Sequence, residues 1–150
     1  MAYNLSNRSK NRLKGVRAPL VRVVERAIEI TKVDFAVIEG VRTRARQRQL
    51  VKQGKSQTMN SKHISGRAVD LAAYVDGKIS WDLKYYDEIA DAMKQAAKEL
   101  GVPLRWGAAW NVSDIKEWNG SAKSAMDHYV KTRRKAGRRP FIDAVHFELA

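Results

Sequence analysis

At 150 residues the chain has the length of one ordinary domain, enough to bury roughly 70% of the surface its unfolded form exposes. Its 44% hydrophobic and 30% charged residues lie near the globular average, which excludes wholesale disorder, and no run approaches the ~20 apolar residues of a membrane span. Twenty-nine Lys and Arg against 16 Asp and Glu give a formal charge of +13, which predicts attraction to a polyanion: nucleic acid, anionic lipid or anionic cell-wall polymer.

In chain order, residues 1–14 are polar and basic without the apolar stretch of an export signal, so the protein is expected to be made in the cytosol. Pro19 suits a first helical turn, and Leu20, Val23, Val24, Ala27 and Ile28 recur at helical spacing up to about Thr31. Residues 35–38 read as a short buried strand, Gly40 loosens the chain, and 42–53 form a basic helical stretch closed by Gly54. A polar loop over 55–62 leads to a strand over 68–75, a tight turn at Asp76-Gly77, and Lys78 and Ile79 as the returning arm. The clearest helix spans 82–100, with Tyr86, Ile89, Met93, Ala96 or Ala97, and Leu100 in one stripe and Gly101 as its cap. After Pro103 come a short strand over 104–106, a loop over 107–120, a short helix over 121–129, and an apolar strand over 141–149. Between these last two, residues 131–140 hold six Lys or Arg and no acid. No repeat or linker divides the chain, so one α+β domain is expected over 1–150, with a small, mainly antiparallel sheet packed with helices.

The chain has no Cys, which excludes thiolate zinc sites and cysteine nucleophiles and leaves His and carboxylates as candidate metal ligands. Its three histidines are His63, His128 and His146. His63 lies in Ser61-Lys-His63-Ile-Ser-Gly66-Arg-Ala68-Val-Asp70, where Gly66 interrupts any helix and puts His63 on a loop ahead of the strand carrying Asp70. On that strand Ala68, Asp70 and Ala72 share one face, and two alanines beside a carboxylate leave room for an ion. In Asp143-Ala-Val-His146-Phe-Glu148, His146 and Glu148 point the same way, while Asp143 joins them only if the chain bends or its strand starts later; such a bend is expected. Two His and one Asp make three ligands, the number a catalytic zinc uses while its fourth position holds water. Asp143 is then a spare carboxylate able to take a proton, and Glu148 a group that holds a ligand His. The same residues have blander readings: His63 and Asp70 as a plain hydrogen-bonded pair, Asp143 as a turn cap, Glu148 as an exposed strand residue, and Arg42 as a solvated charge.

Residues 61–70 match S-x-H-x-x-G-x-A-x-D at all five specified positions, and an acidic-x-x-His motif follows near the C-terminus. In both, the chain resembles the VanY-type zinc peptidases of hedgehog-like fold, which include D-alanyl-D-alanine carboxypeptidases and phage L-alanyl-D-glutamate endolysins. The resemblance runs from about Leu20 to the end, and 35–43, 105–111 and 146–149 are especially similar to the small phage endolysins. It implies that His63, Asp70 and His146 bind Zn2+, that Asp143 is the catalytic base, and that Arg42 binds substrate or steadies its oxyanion. Ser61 is expected near the metal or substrate, and Trp106 and Trp110 either wall the cleft or pack the core. Many members have Glu as base and a second His where this chain has Glu148; the Asp143 and Glu148 pairing is similar to the phage endopeptidase branch.

The activity implied is hydrolysis of the L-alanyl-D-glutamate bond in the peptidoglycan stem peptide by a monomer. An endolysin needs no export signal if a phage holin opens the membrane on the way to the wall. D-alanyl-D-alanine carboxypeptidase activity is the alternative within the family. A basic nucleic-acid-binding module, using 42–52 or 131–139, has the charge but no accompanying base-reading motif, and a wall-binding fold without catalysis leaves Asp143 unexplained. Residues 131–140 read as an exposed basic insertion outside the catalytic centre that targets an anionic wall or outer membrane; without them the formal charge falls from +13 to +7. Nothing functional attaches to His128.

Overall fold

The sequence of the basic lead-in shows no element, yet in the computed structural model it forms a helix, α1 (Asn7–Arg12). The structure describes residues 2–59 and 61–150; Met1 and Asn60, in the lead-in and in the loop expected over 55–62, lie outside the described residues. Ser6 caps α1 by accepting the Ser9 N–H. Ser9 Oγ in turn accepts the Val37 N–H at 3.0 Å, and Arg12 Nη1 donates to the Val37 carbonyl at 3.0 Å. Val37 lies on an edge strand, β1 (Phe35–Glu39), so α1 covers backbone groups that would otherwise invite another strand.

The apolar stripe from Leu20 to Ile28 is the buried face of α2 (Ala18–Ile30). Thr43 caps α3 (Arg44–Lys52), and β2 (Ala68–Val75) turns at Asp76-Gly77 into β3 (Lys78–Ser80). Asp82 and Gly101 bound α4 (Leu83–Leu100). There follow β4 (Leu104–Trp106), a 3-10 turn at Ile115–Glu117, α5 (Ala122–Lys135) and β5 (His146–Leu149).

Two boundaries differ from the sequence expectation. Helix α5 runs past Tyr129 to Lys135 and absorbs half of the basic segment, because Lys and Arg are good helix formers and their charge complements the helix C-terminus. Conversely, β5 begins only at His146: the Asp143 N–H is held by the Gly107 carbonyl at 2.8 Å, and the His146 N–H turns back to the Asp143 carbonyl at 3.0 Å. This is the bend that the Asp143 spacing requires.

All strand pairs are antiparallel, in the order β1-β2-β5-β4. Asp70 pairs with Glu39 on one side and His146 on the other, while Ala73 pairs with Phe35 and Ser80, so β3 and β5 lie end to end along one edge of β2. Val69, Leu71 and Ala73 face a core shared with α2 and α4, including Val24, Ile89 and Met93, all fully buried. Burying a side chain such as Leu71 contributes about 2 kcal/mol, which fixes the parity of β2 and turns Asp70 to the opposite face. Between Val37 and Glu39 the register slips by one residue, a bulge that sets Glu39 rather than Ile38 opposite Asp70.

Candidate metal centre

Asp70 from β2, His146 from the start of β5 and His63 from the loop ahead of β2 converge. His63 Nε2 and His146 Nδ1 lie 3.1 and 3.3 Å from Asp70 Oδ1 and 3.2 Å from each other. Outer contacts orient both rings. His63 Nδ1 lies 2.9 Å from the Gly40 carbonyl, which can only accept, so the ring carries its proton there and turns the Nε2 lone pair inward. His146 Nε2 likewise donates to Glu148 Oε1 at 2.8 Å, leaving Nδ1 to face the centre. Lys62 Nζ holds Glu148 Oε2 at 2.9 Å and donates to the Leu149 carbonyl at 2.6 Å.

Two imidazole nitrogens and a carboxylate oxygen turned toward one another form a site complementary to positive charge. Burial alone would favour neutral His146, but hydrogen bonds to Asp70 and Glu148 and the nearby carboxylates push its pKa up to about 9. That upward shift is the response of a site whose surroundings favour positive charge. Burial also opposes the ionised form of Asp70, yet the hydrogen bond from protonated His146 and the adjacent His63 ring hold its carboxyl well below the ordinary range. The donor set suits a divalent metal.

Arg42 is buried beside this centre, its Nη2 3.6 Å from Asp70 Oδ2. Its guanidinium is largely engaged: Nε and Nη2 donate to the two Glu39 carboxylate oxygens at 2.6 and 2.8 Å, and Nη1 to Gln47 Oε1 at 2.6 Å. Gln47 is held by Ser56 Oγ and the Thr58 carbonyl. Asp143 lines the same cleft, and burial together with the Asp70 charge raises its pKa. It forms no hydrogen bond or ion pair through its carboxylate to any described residue. Ser61 Oγ accepts the His63 N–H at 3.2 Å, and the Trp110 ring packs on His146 with centroids 5.4 Å apart.

The cleft has a volume of about 810 Å³ and gathers His63, Asp70, His146, Asp143, Arg42, Ser61 and Trp110. Trp106 is not among its walls. On β4 it alternates with Arg105, so it enters the core, stacks on Phe147 and donates to the Ala144 carbonyl at 2.9 Å, while Arg105 takes the cleft side. His128 packs against Trp118 and does not line the cleft. The basic segment expected outside the centre is divided: Arg133 lines the cleft, whereas Lys131, Arg134, Lys135 and Arg138 are exposed elsewhere. Sequence reasoning missed Glu39, Gln47, Lys62, Arg105, Tyr129 and Phe141. Strand parity against Trp106 would have found Arg105; the others depend on tertiary contacts.

The sequence model of the family described as "Phage L-alanyl-D-glutamate peptidase" matches residues 1–150. The L-alanyl-D-glutamate peptidase of Escherichia phage T5 is 40% identical over 117 residues, covering 75% of this chain and 85% of that one. Its namesake from Listeria phage A118 is 29% identical over 83 residues, covering 55% and 28%. The crystal structure of the Serratia marcescens L-Ala D-Glu endopeptidase ChiX superposes with a TM-score of 0.72 at 35% identity, covering 96% of this chain and 87% of the other. With the whole chain matched in sequence and nearly all of it in fold, around a centre of two histidines and an aspartate, this protein belongs to the phage L-alanyl-D-glutamate peptidase family.

Proposed function

We propose that this peptidase hydrolyses the L-alanyl-D-glutamate bond of the peptidoglycan stem peptide with Zn2+ held by His63, Asp70 and His146. The observation that carries the reading is the inward convergence of two imidazole lone pairs and a carboxylate, with outer partners fixing both rings. Zinc in that position would supply Lewis acidity, bringing the pKa of a water from 15.7 to roughly 7 and polarising the scissile carbonyl. Asp143 takes the proton of the attacking water and returns it to the leaving amine; its raised pKa suits a group that must hold a proton between the two steps. Arg42 faces Asp70 as an ion pair at 3.6 Å and keeps one N–H on each of Nη1 and Nη2 outside its hydrogen bonds, donors for the oxyanion of the tetrahedral intermediate, a role worth about 3 kcal/mol for one donor. Ser61 fixes the loop that presents His63, and Trp110 forms the wall beside His146.

The test is digestion of isolated peptidoglycan with and without chelator. New L-alanine carboxyl and D-glutamate amino ends that vanish on chelation are expected; release of free D-alanine would instead identify the carboxypeptidase activity, and no new ends would refute both. Chelation is also expected to lower the melting temperature. Restoring zinc at 1,000 times its Kd should recover about 4 kcal/mol of stability, and a melting temperature indifferent to zinc would remove the metal from the site.

The exposed charges of α5 and the turn after it serve binding to an anionic wall or outer-membrane surface. Changing Lys131, Arg134, Lys135 and Arg138 to Gln should weaken binding to intact walls, most at low salt, and leave hydrolysis of a small soluble peptide unchanged. Equal loss on both substrates would overturn that assignment. No helix among the described residues is long and apolar enough to cross a membrane. Access to the wall after synthesis in the host cytoplasm is assigned to holin-type release, and the working unit is a monomer.

A further inference from the structure

The cations lining the cleft fall into two sets. Arg42 is paired with Glu39 and Asp70, and Lys62 with Glu148. Lys55, Arg105 and Arg133 line the same space with no ion pair to any described carboxylate. The cleft therefore holds more positive charge than its own acids neutralise, and a bound divalent cation adds to that excess.

The three unpaired cations are not equivalent. Arg105 is committed to Trp110: its Nε and Nη2 donate to the Trp110 carbonyl, and its guanidinium lies over the Trp110 ring, 5.3 Å from the centroid. Lys55 is exposed and its side chain forms no described hydrogen bond, so holding it against a ligand costs rotamer freedom. Arg133 is half-buried and already ordered, with Nε and Nη2 on the Arg139 carbonyl at 3.4 and 3.1 Å, while both Nη1 hydrogens have no described partner.

The wall that carries Arg133 is continuous with the metal centre. Tyr129, one turn earlier on α5, donates to the Phe141 carbonyl and accepts the Phe141 N–H at 3.3 and 3.1 Å. The Phe141 ring stacks on Trp110 with centroids 6.4 Å apart, and Trp110 packs on the ligand His146. One face of α5 thus connects a pre-ordered guanidinium to the place where the scissile bond would lie.

We propose that Arg133 binds the free carboxylate of the glutamyl residue on the leaving side of the scissile bond and so makes that residue a specificity determinant. The inference rests on the peptidase reading above. A glutamyl residue that donates its nitrogen to the cleaved amide retains two carboxyl groups; the chain continues through one, and the other remains anionic beside the reacting centre. The alanyl side offers no charge. Near the buried carboxylates of Asp70 and Asp143, an additional carboxylate needs a dedicated cation, and a planar guanidinium is the best-matched donor.

The test compares two soluble L-alanyl-D-glutamyl peptides that differ only in whether this carboxyl is free or amidated, with wild type, Arg133→Gln and Lys98→Gln. Wild type should favour the free carboxylate by about 10- to 100-fold in kcat/KM, the scale of hydrogen bonds to a charged group. Arg133→Gln should lose about that factor on the carboxylate peptide and nothing on the amide, with unchanged melting temperature and zinc content. Lys98→Gln removes one positive charge from the exposed side of α4, outside the cleft, and should retain the full preference. Equal loss on both peptides would make Arg133 a support for the wall, and no loss on either would leave it without a role; each overturns the proposal. Wild-type cleavage without preference refutes the carboxylate receptor alone, whereas wild-type cleavage of neither peptide refutes the peptidase reading and the receptor together.

Discussion

Asp143→Ala is expected to retain one zinc per chain while losing about 10² to 10⁴ in kcat, the usual worth of a positioned general base. Asp143 stands apart from the three converging donors, and its carboxylate is not committed to any described group. Removing it therefore takes away a proton acceptor and leaves the ligands in place. His63→Ala should do the opposite: it leaves two donors where three converge and deprives the Gly40 carbonyl of its partner. Metal should be lost first and turnover with it, and added zinc should restore little. Metal analysis beside steady-state turnover separates the two variants. If Asp143→Ala loses zinc in proportion to activity, Asp143 is a ligand and the base must be sought elsewhere.

The parts of this site that were legible in the sequence are those governed by local periodicity. Strand parity places Asp70 opposite the apolar face of Val69 and Leu71, and the spacing of two sets His146 and Glu148 on one side of β5. Gly66, at a φ of 72°, turns the chain between His63 and Asp70 as its place in the motif suggests. The helical stripes of α2 and α4 were legible for the same reason.

What escaped the sequence depends on contacts between distant segments. The bulge at Ile38 has no signature in Phe-Ala-Val-Ile-Glu, yet it puts Glu39 beside Asp70 and so creates the Glu39–Arg42–Asp70 arrangement. An arginine that looks free for an oxyanion is thereby mostly occupied with Glu39 and Gln47 beside the proposed ligand Asp70. Trp106 misled because an aromatic near a site suits a cleft wall as well as a core, and only parity with Arg105 decides. The basic segment misled because its charge is uniform along the sequence, whereas the helix that carries it turns Arg133 inward and its neighbours outward.

Gly107→Ala should be strongly damaging although the residue carries no functional group. The Gly107 N–H donates to the His146 carbonyl at 2.8 Å, and its carbonyl accepts the Asp143 N–H at 2.8 Å, so this one residue anchors both ends of the bend that carries the proposed base and ligand. A Cβ there would overlap the Asp143 carbonyl and stand 3.0 Å from His146 Cβ. The obstruction is backbone, which cannot rotate away as a side-chain tip could, so the 143–146 bend must move outward. Overpacking of this kind costs about 1–3 kcal/mol in stability. The functional loss should be larger than that destabilisation suggests. Displacing His146 disturbs the contact with Glu148, for which a 10–100-fold loss of metal affinity is the ordinary scale, and displacing Asp143 by about 1 Å costs roughly another 100-fold in rate. Gly77→Ala, in the β2–β3 turn where an added Cβ meets no atom, supplies the comparison, since its cost is confined to local backbone strain. Zinc titration and kcat on the same preparations, at a temperature where both variants are folded, give the result. If Gly107→Ala binds zinc and turns over like Gly77→Ala, the bend is not held by Gly107, and the placement of Asp143 must be imposed from the Trp106 side.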